Sequence, residues 1–136
     1  REDDALLLSE DVLLATLYPN AVTDVTSYVG CSTRLKEALA PFVVDALRAG
    51  RSVVLDFPAN TRGQRAWMRS LIDAAGCAHE LHVIDCPDEI CRARVLARGR
   101  ATDTLAMFDA MARHFEPPAD EEAFVTILHA GRTKAD

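Results

Sequence analysis

The 136 residues are enough for one domain with a single core, and the composition of 49% hydrophobic but only 6% aromatic residues favours helices packed on a sheet. The net charge of −6 argues against a nucleic-acid partner, and no apolar run approaches the length of a membrane span. The four cysteines form no CxxC pair, which indicates reduced thiols and a cytoplasmic protein.

Apolar runs alternate with helical periodicities along the chain. Short apolar runs predict strands near residues 5–9, 52–57, 80–85 and 124–129. Apolar residues spaced three and four apart predict helices over residues 12–18, 24–48, 62–75, 88–98 and 103–114. Pro41 predicts a kink or break in the second helix, Thr61 can cap the third, and Gly76 can stop it. The expected fold is α/β, with a parallel sheet covered by helices on both faces in three layers.

Three of the predicted strands end at carboxylates. These are Asp11, just past its strand, Asp56 and Asp85. Since the carboxyl ends of parallel strands meet at one crevice, clustered acids there can hold a hydrated metal ion, or one can act as a base toward a hydroxyl. The alternatives are that Asp56 is an ordinary solvated strand end and that Asp85 caps the helix that follows it.

Arginines form a second constellation. Arg62 and Arg65 stand at the predicted helix start after Asp56, where a positive charge opposes the helix dipole. Arg94 and Arg98 lie four residues apart and share a helix face. The unfavourable placement of Arg62 and Arg65 suggests an anionic ligand, because the guanidinium fork matches phosphate oxygens. For Arg94 and Arg98 the alternative is a solvated helix C-terminus.

Cysteines and histidines raise the further alternative of a metal site, which would draw on Cys77, His79, His82, Cys86 and Cys91. Alternation along the third strand places neighbouring side chains on opposite faces, so these groups would not converge. We therefore expect no metal centre from this set.

Three motifs in a fixed order carry a family resemblance over about residues 6 to 124. They are Leu8-Ser9-Glu10-Asp11, then Val53-Val54-Leu55-Asp56 with Asn60, Arg62 and Arg65, then His82-Val83-Ile84-Asp85-Cys86-Pro87 with Arg94 and Arg98. The chain thereby resembles the P-loop kinase-like proteins often called AAA family ATPases, which are similar to zeta toxins, chloramphenicol phosphotransferase and polynucleotide kinase.

The resemblance implies a P-loop NTPase-like fold and ATP-dependent, Mg²⁺-assisted phosphoryl transfer to a small hydroxyl-bearing substrate. It implies roles for the residues that match the motifs: Asp11 as base, Asp56 as the acid near Mg²⁺, Asn60, Arg62 and Arg65 as substrate-binding residues, and Arg94 and Arg98 as a mobile lid on the triphosphate.

The family's phosphate loop, G-x-x-x-x-G-K-[ST], does not occur in the 136 residues. Its backbone N–H groups cradle the phosphates, while its Lys and Ser or Thr serve phosphate and Mg²⁺. In the family it follows a first strand in mid-sheet, between the strands of Asp56 and Asp85. We therefore expect residues 1–136 to be one N-terminally incomplete domain that is inactive by itself. The alternative is a non-catalytic pseudokinase or interaction module that has lost nucleotide binding and forms a homodimer through exposed strand edges.

Overall fold

A computed structural model describes residues 4–85 and 115–130. The chain divides into two compact units, Arg1–Ala78 and His79–Asp136. The helices predicted over 88–98 and 103–114, and with them Arg94 and Arg98, lie outside the described residues.

The first unit is built on a parallel pair of strands. Its elements in chain order are β1 (Leu6–Ser9), α1 (Glu10–Leu17), α2 (Val25–Arg48), β2 (Val53–Asp56) and α3 (Arg62–Ala75). β1 and β2 pair in parallel, with Leu6 opposite Val53 and Ser9 opposite Asp56. Both strands therefore end at the same edge of the pair, and a helix follows each of them.

Side-chain caps fix where the two longer helices begin. Asp24 accepts a hydrogen bond from the backbone N–H of Ser27 at 2.8 Å, and the Ser27 hydroxyl accepts one from the backbone N–H of Asp24 at 3.1 Å. Thr61 and Gln64 form the same reciprocal capping box at the start of α3. α3 ends at Gly76, which has φ +65° in the left-handed region that glycine enters without a Cβ clash. The predictions for Thr61 and Gly76 are confirmed.

α2 continues through Pro41, so of the kink or break predicted there the break does not occur, and the kink stays a prediction. Pro41 is exposed, whereas Leu35 and Val43 on either side of it are each 3% exposed. Packing of the apolar residues on both sides offsets the lost backbone hydrogen bond, because most helical stability in proteins comes from a buried face.

The core of the first unit joins its helices to the strand pair. Its most buried apolar side chains include Leu14, Leu35, Val43, Phe57 and Leu71. The paired residues Leu7 and Val54 are 67% and 46% exposed, so they mark a face of the strand pair that remains open to solvent.

The second unit contains another parallel pair, β3 (Leu81–Asp85) and β4 (Thr126–Ala130), with Leu81 opposite Thr126. The His79 ring accepts a hydrogen bond from the backbone N–H of Val125 at 3.1 Å and meets the Phe124 ring edge-on at 5.7 Å. His79 therefore helps to fix the entry into both strands. In the part of the chain that the structure describes, no group of three metal-ligating side chains comes together, and no helix is long and apolar enough to cross a bilayer.

All four predicted strands are present, and each of the two observed pairs is parallel. Within the described residues the strands form two two-stranded sheets, β1–β2 and β3–β4.

Candidate functional site

The carboxyl edge of the β1–β2 pair brings the two predicted catalytic segments together. Asp56 is the last residue of β2 and lies opposite Ser9, two positions before Asp11. Asp11 is in the first turn of α1, where a negative charge suits the helix dipole, and both carboxylates are exposed. The expectation that Asp11 and Asp56 share one sheet edge is confirmed. Their roles in catalysis and metal binding stay predictions.

Glu10, the neighbour of Asp11, is the buried acid of this edge. Its side chain is 1% exposed. The Tyr28 hydroxyl donates to Oε1 at 2.5 Å, and the Ser32 hydroxyl donates to Oε2 at 2.6 Å. Each carboxylate oxygen thus has its own hydroxyl donor at a distance typical of O–H groups bound to an ionised acceptor. The pair of bonds ties the start of α1 to α2.

Polar side chains spaced four residues apart form one face of α2: Tyr28, Ser32 and Lys36. Burial, followed by the hydrogen bond to Glu10, raises the pKa of the Tyr28 hydroxyl well above its usual range. Burial lowers the pKa of the Lys36 ammonium, and the charge of Glu10 acts in the opposite direction. Lys36 Nζ lies 5.5 Å from the centroid of the Trp67 ring, a distance typical of a cation–π contact.

The loop between β2 and α3 is held by two residues of the helix that follows it. Gln64 Oε1 accepts the backbone N–H groups of Asn60 at 2.8 Å and Thr61 at 3.3 Å. Arg65 is completely buried, and its Nη1 donates to the carbonyl oxygen of Ala59 at 2.8 Å. Side chains of α3 therefore satisfy the backbone N–H groups of Asn60 and Thr61 and the carbonyl oxygen of Ala59, which fixes the second half of the loop.

The predicted substrate-binding residues on this loop and helix occupy different environments. Arg62 is exposed at the first position of α3, and Asn60 is half-buried in the loop. Arg65 has no exposed surface, so a ligand from solvent does not reach it in this conformation. Substrate contact by these three residues stays a prediction, and for Arg65 the structure adds a role in loop geometry.

The described residues could supply a ligand for Mg²⁺ through Asp56, but they do not form a cradle for a triphosphate. Mg²⁺ is commonly held by one or two carboxylates together with water and substrate phosphates, so one exposed strand-end carboxylate suffices on the protein side. A phosphate cradle requires glycines whose missing Cβ leaves room for a close approach. A Cβ at Gly30, Gly50 or Gly76 would have nothing within 4 Å, and at Gly63 it would meet only Thr61 Oγ1 at 3.8 Å. The described glycines therefore form no such cradle.

Sequence reasoning did not single out the buried Glu10 or the half-buried Lys36 near this edge. The signal for Lys36 was present in the four-residue spacing with Tyr28 and Ser32 inside a predicted helix. Glu10 follows the first strand directly, but nothing local distinguishes it from Asp11. Which of two adjacent acids is buried depends on where α2 packs.

A shallow pocket lies at the opposite, amino-terminal edge of the strand pair, lined by Asp4, Gly50, Arg51 and Ser52. The Arg51 guanidinium donates to the backbone oxygen of Asp4 at 3.0 Å there. Open α/β sheets bind ligands at the carboxyl ends of their strands, so the edge with Glu10, Asp11 and Asp56 is the better candidate.

Comparison with known proteins gives a family but does not test the choice of edge. A family model described as AAA domain matches residues 1–118. This span contains β1, β2, β3 and all seven predicted site residues. No curated protein and no solved structure gave a match.

Proposed function

We propose, on the premise that this chain belongs to the P-loop kinase-like AAA domain family, that it serves ATP-dependent phosphoryl transfer to a small hydroxyl-bearing substrate. The family implies nucleotide binding and kinase- or ATPase-like chemistry in general. The observation that carries the finer proposal is the pair of exposed carboxylates, Asp11 and Asp56, at the carboxyl edge of parallel strands. That edge is where such sheets bind their ligands.

The two carboxylates suit different tasks in this reaction. Asp11 can accept the proton of a substrate hydroxyl as its oxygen becomes the nucleophile, a task that requires an accessible carboxylate within hydrogen-bonding reach. Asp56 can supply an oxygen ligand to Mg²⁺, which neutralises charge on the transferring phosphoryl group when bound. Arg62, exposed at the start of α3, can contact an anionic group of the substrate.

The 136 residues contain no glycine-rich phosphate loop, so we expect little ATP binding and no transfer by this chain alone. Calorimetric titration of ATP·Mg²⁺ into this chain, and into a version extended by the residues encoded upstream of Arg1, tests the proposal. We expect binding by the extended version only, accompanied by transfer to an acceptor. An upstream reading frame without a glycine-rich loop followed by Lys and Ser or Thr would refute the enzymatic proposal.

A self-associating, non-catalytic module is the second candidate. Among the described residues β2 is hydrogen-bonded to β1 alone, and the paired residues Leu7 and Val54 are largely exposed. An open strand edge beside an exposed apolar face favours pairing with another chain. Light scattering separates the two candidates: a dimer without affinity for ATP·Mg²⁺ supports the module, whereas a monomer that binds ATP·Mg²⁺ tightly refutes it.

A further inference from the structure

The ammonium group of Lys36 occupies an unusual position in the first unit. It is half-buried between α2 and α3, with the face of the Trp67 ring on one side. An ammonium group has three N–H donors and no acceptor. Within residues 4–85 and 115–130, however, it has only the Trp67 contact and an electrostatic interaction with Glu10, and no hydrogen bond or ion pair at direct-contact distance.

Glu10 does not fill this role, although it is the nearest buried anion that acts on Lys36. Both of its oxygens already accept hydroxyl hydrogen bonds, from Tyr28 and from Ser32. These two bonds hold the carboxylate against Tyr28 and Ser32, and the described residues show no direct ion pair between Glu10 and Lys36. Among residues 4–85 and 115–130, no hydrogen-bond acceptor meets the three N–H donors of Lys36, so they can bind water or a ligand.

The position of Lys36 directs it toward the candidate site. α2 runs away from the carboxyl edge of the strands, because its early residues Tyr28 and Ser32 contact Glu10 and its end leads into β2. Side chains on a helix lean toward its N-terminus, so Lys36 leans toward the edge at which β1 and β2 end. The Trp67 ring excludes water from one side, which strengthens any electrostatic contact made there.

We propose that Lys36 and Trp67 form an anion-binding subsite that takes a phosphate group of the acceptor substrate. The acceptor is then a phosphorylated compound that also carries the reacting hydroxyl. Assigning the anion to the acceptor rests on the proposed phosphoryl-transfer function, whereas the subsite itself does not. A bound anion would also offset the burial that lowers the pKa of Lys36, so anion binding and protonation of Lys36 favour each other.

Trp67 is the only tryptophan of the chain, so its fluorescence reports directly on this subsite. The test titrates inorganic phosphate into the wild-type protein at constant ionic strength, with acetate and chloride as parallel arms. The same titrations are made with Lys36→Met and with Arg34→Ala, a control that removes an exposed cation from the same helix. We expect a saturable change with phosphate in the wild type and in Arg34→Ala, and affinity weakened about tenfold or more in Lys36→Met, as befits loss of a charged hydrogen-bond donor.

Equal affinity in Lys36→Met, or the same unsaturable change with all three salts, would overturn the subsite. Saturation by acetate as tightly as by phosphate would overturn its assignment to phosphate. A direct measurement guards against misfolding of the variant: the chain has only two lysines, Lys36 and Lys134, so NMR of labelled lysine side chains resolves Lys36 in the wild type. Its signal must shift with phosphate. The phosphate titration contains no ATP, so Lys36-dependent phosphate binding would stand even if the proposed phosphoryl transfer failed. Conversely, phosphoryl transfer together with phosphate binding that does not depend on Lys36 would refute the subsite and leave the proposed function intact.

Discussion

Glu10 and Arg65 are the two largest fully buried side chains of the described residues, and they carry opposite charges at neighbouring strand ends. Each belongs to the first turn of a helix that follows a strand, α1 after β1 and α3 after β2. Glu10 is held by side chains 18 and 22 residues away, whereas the contact of Arg65 with Ala59 spans six residues. The bonds of Glu10 therefore join two helices, and the bond of Arg65 to Ala59 holds a nearby loop.

From this difference we infer that Glu10 matters more for the packing of α1 on α2, and Arg65 more for the loop beside Asp56. A negative charge at a helix N-terminus is favoured by the helix dipole, and a positive charge there is not. Glu10 is thus stabilised by its helix as well as by two hydroxyl donors. Arg65 opposes its helix dipole, and its bond to the Ala59 carbonyl oxygen holds the loop that connects Asp56 to α3.

Replacing Glu10 is expected to have the largest effect on stability. Glu10→Ala leaves a cavity and two buried hydroxyl groups without their acceptor, so the free energy of unfolding should fall by about 3–5 kcal/mol. Urea denaturation followed by circular dichroism measures the loss. Glu37→Ala, which removes an exposed glutamate from α2, is the matched control and should change stability by less than about 0.5 kcal/mol. A small loss at Glu10 would mean that the carboxylate is not the anchor between α1 and α2.

Replacing Arg65 should cost less and should act on the loop. Arg65→Met keeps most of the buried volume but removes the charged donor to the Ala59 carbonyl, for an expected loss of about 1.5–3 kcal/mol. Hydrogen exchange should accelerate at the amides of Asn60 and Thr61 more than in β2. Arg62→Met, at an exposed position of the same helix, should leave exchange in the loop close to wild type. Uniform acceleration throughout the first unit would contradict a local role.

Tyr28→Phe tests one half of the Glu10 anchor and its dependence on pH. Leaving Oε1 without its hydroxyl donor should cost about 1–3 kcal/mol at neutral pH. Burial raises the pKa of Tyr28 in the folded protein, so above about pH 10 the unfolded chain loses its tyrosine proton first and stability falls as pH rises. Below that pH this contribution is fully present.

The measurement is the difference between wild type and Tyr28→Phe in urea denaturation from pH 8 to pH 11. The advantage of the wild type should shrink by up to about 1.4 kcal/mol per pH unit above pH 10. Lys36, whose pKa is lowered by burial, is present in both proteins, so its titration largely cancels in the difference. A constant difference across this range would show that Tyr28 ionises as easily in the folded as in the unfolded chain.

The sequence predicted the parts of this structure that depend on neighbouring residues. Thr61 and Gln64 cap α3 across three positions, and Gly76 ends it through its own backbone, so both were visible as local signals. Pro41 was a local signal too: the break that it allowed does not occur, because packing on both sides of Pro41 prevailed, and the kink stays a prediction. The burial of Glu10 depends on how the next helix, α2, packs, through residues 18 and 22 positions along the chain, which no local pattern reveals.

The smallest expected effect on stability belongs to Asp11, directly beside the residue with the largest. Asp11 is exposed in the first turn of α1, so Asp11→Asn should lower the free energy of unfolding by no more than about 0.3–1 kcal/mol, through the weakened interaction with the helix dipole. If Asp11 is the base, the same change in the extended, ATP-binding protein should reduce phosphoryl transfer by about 10²–10⁴-fold. Glu10→Gln separates the two roles, because it should lower stability while Asp11 remains in place. Loss of a catalytic base should lower the rate of transfer with little effect on stability. If the activity of Asp11→Asn falls only in proportion to the loss of folded protein, Asp11 is removed from the catalytic proposal.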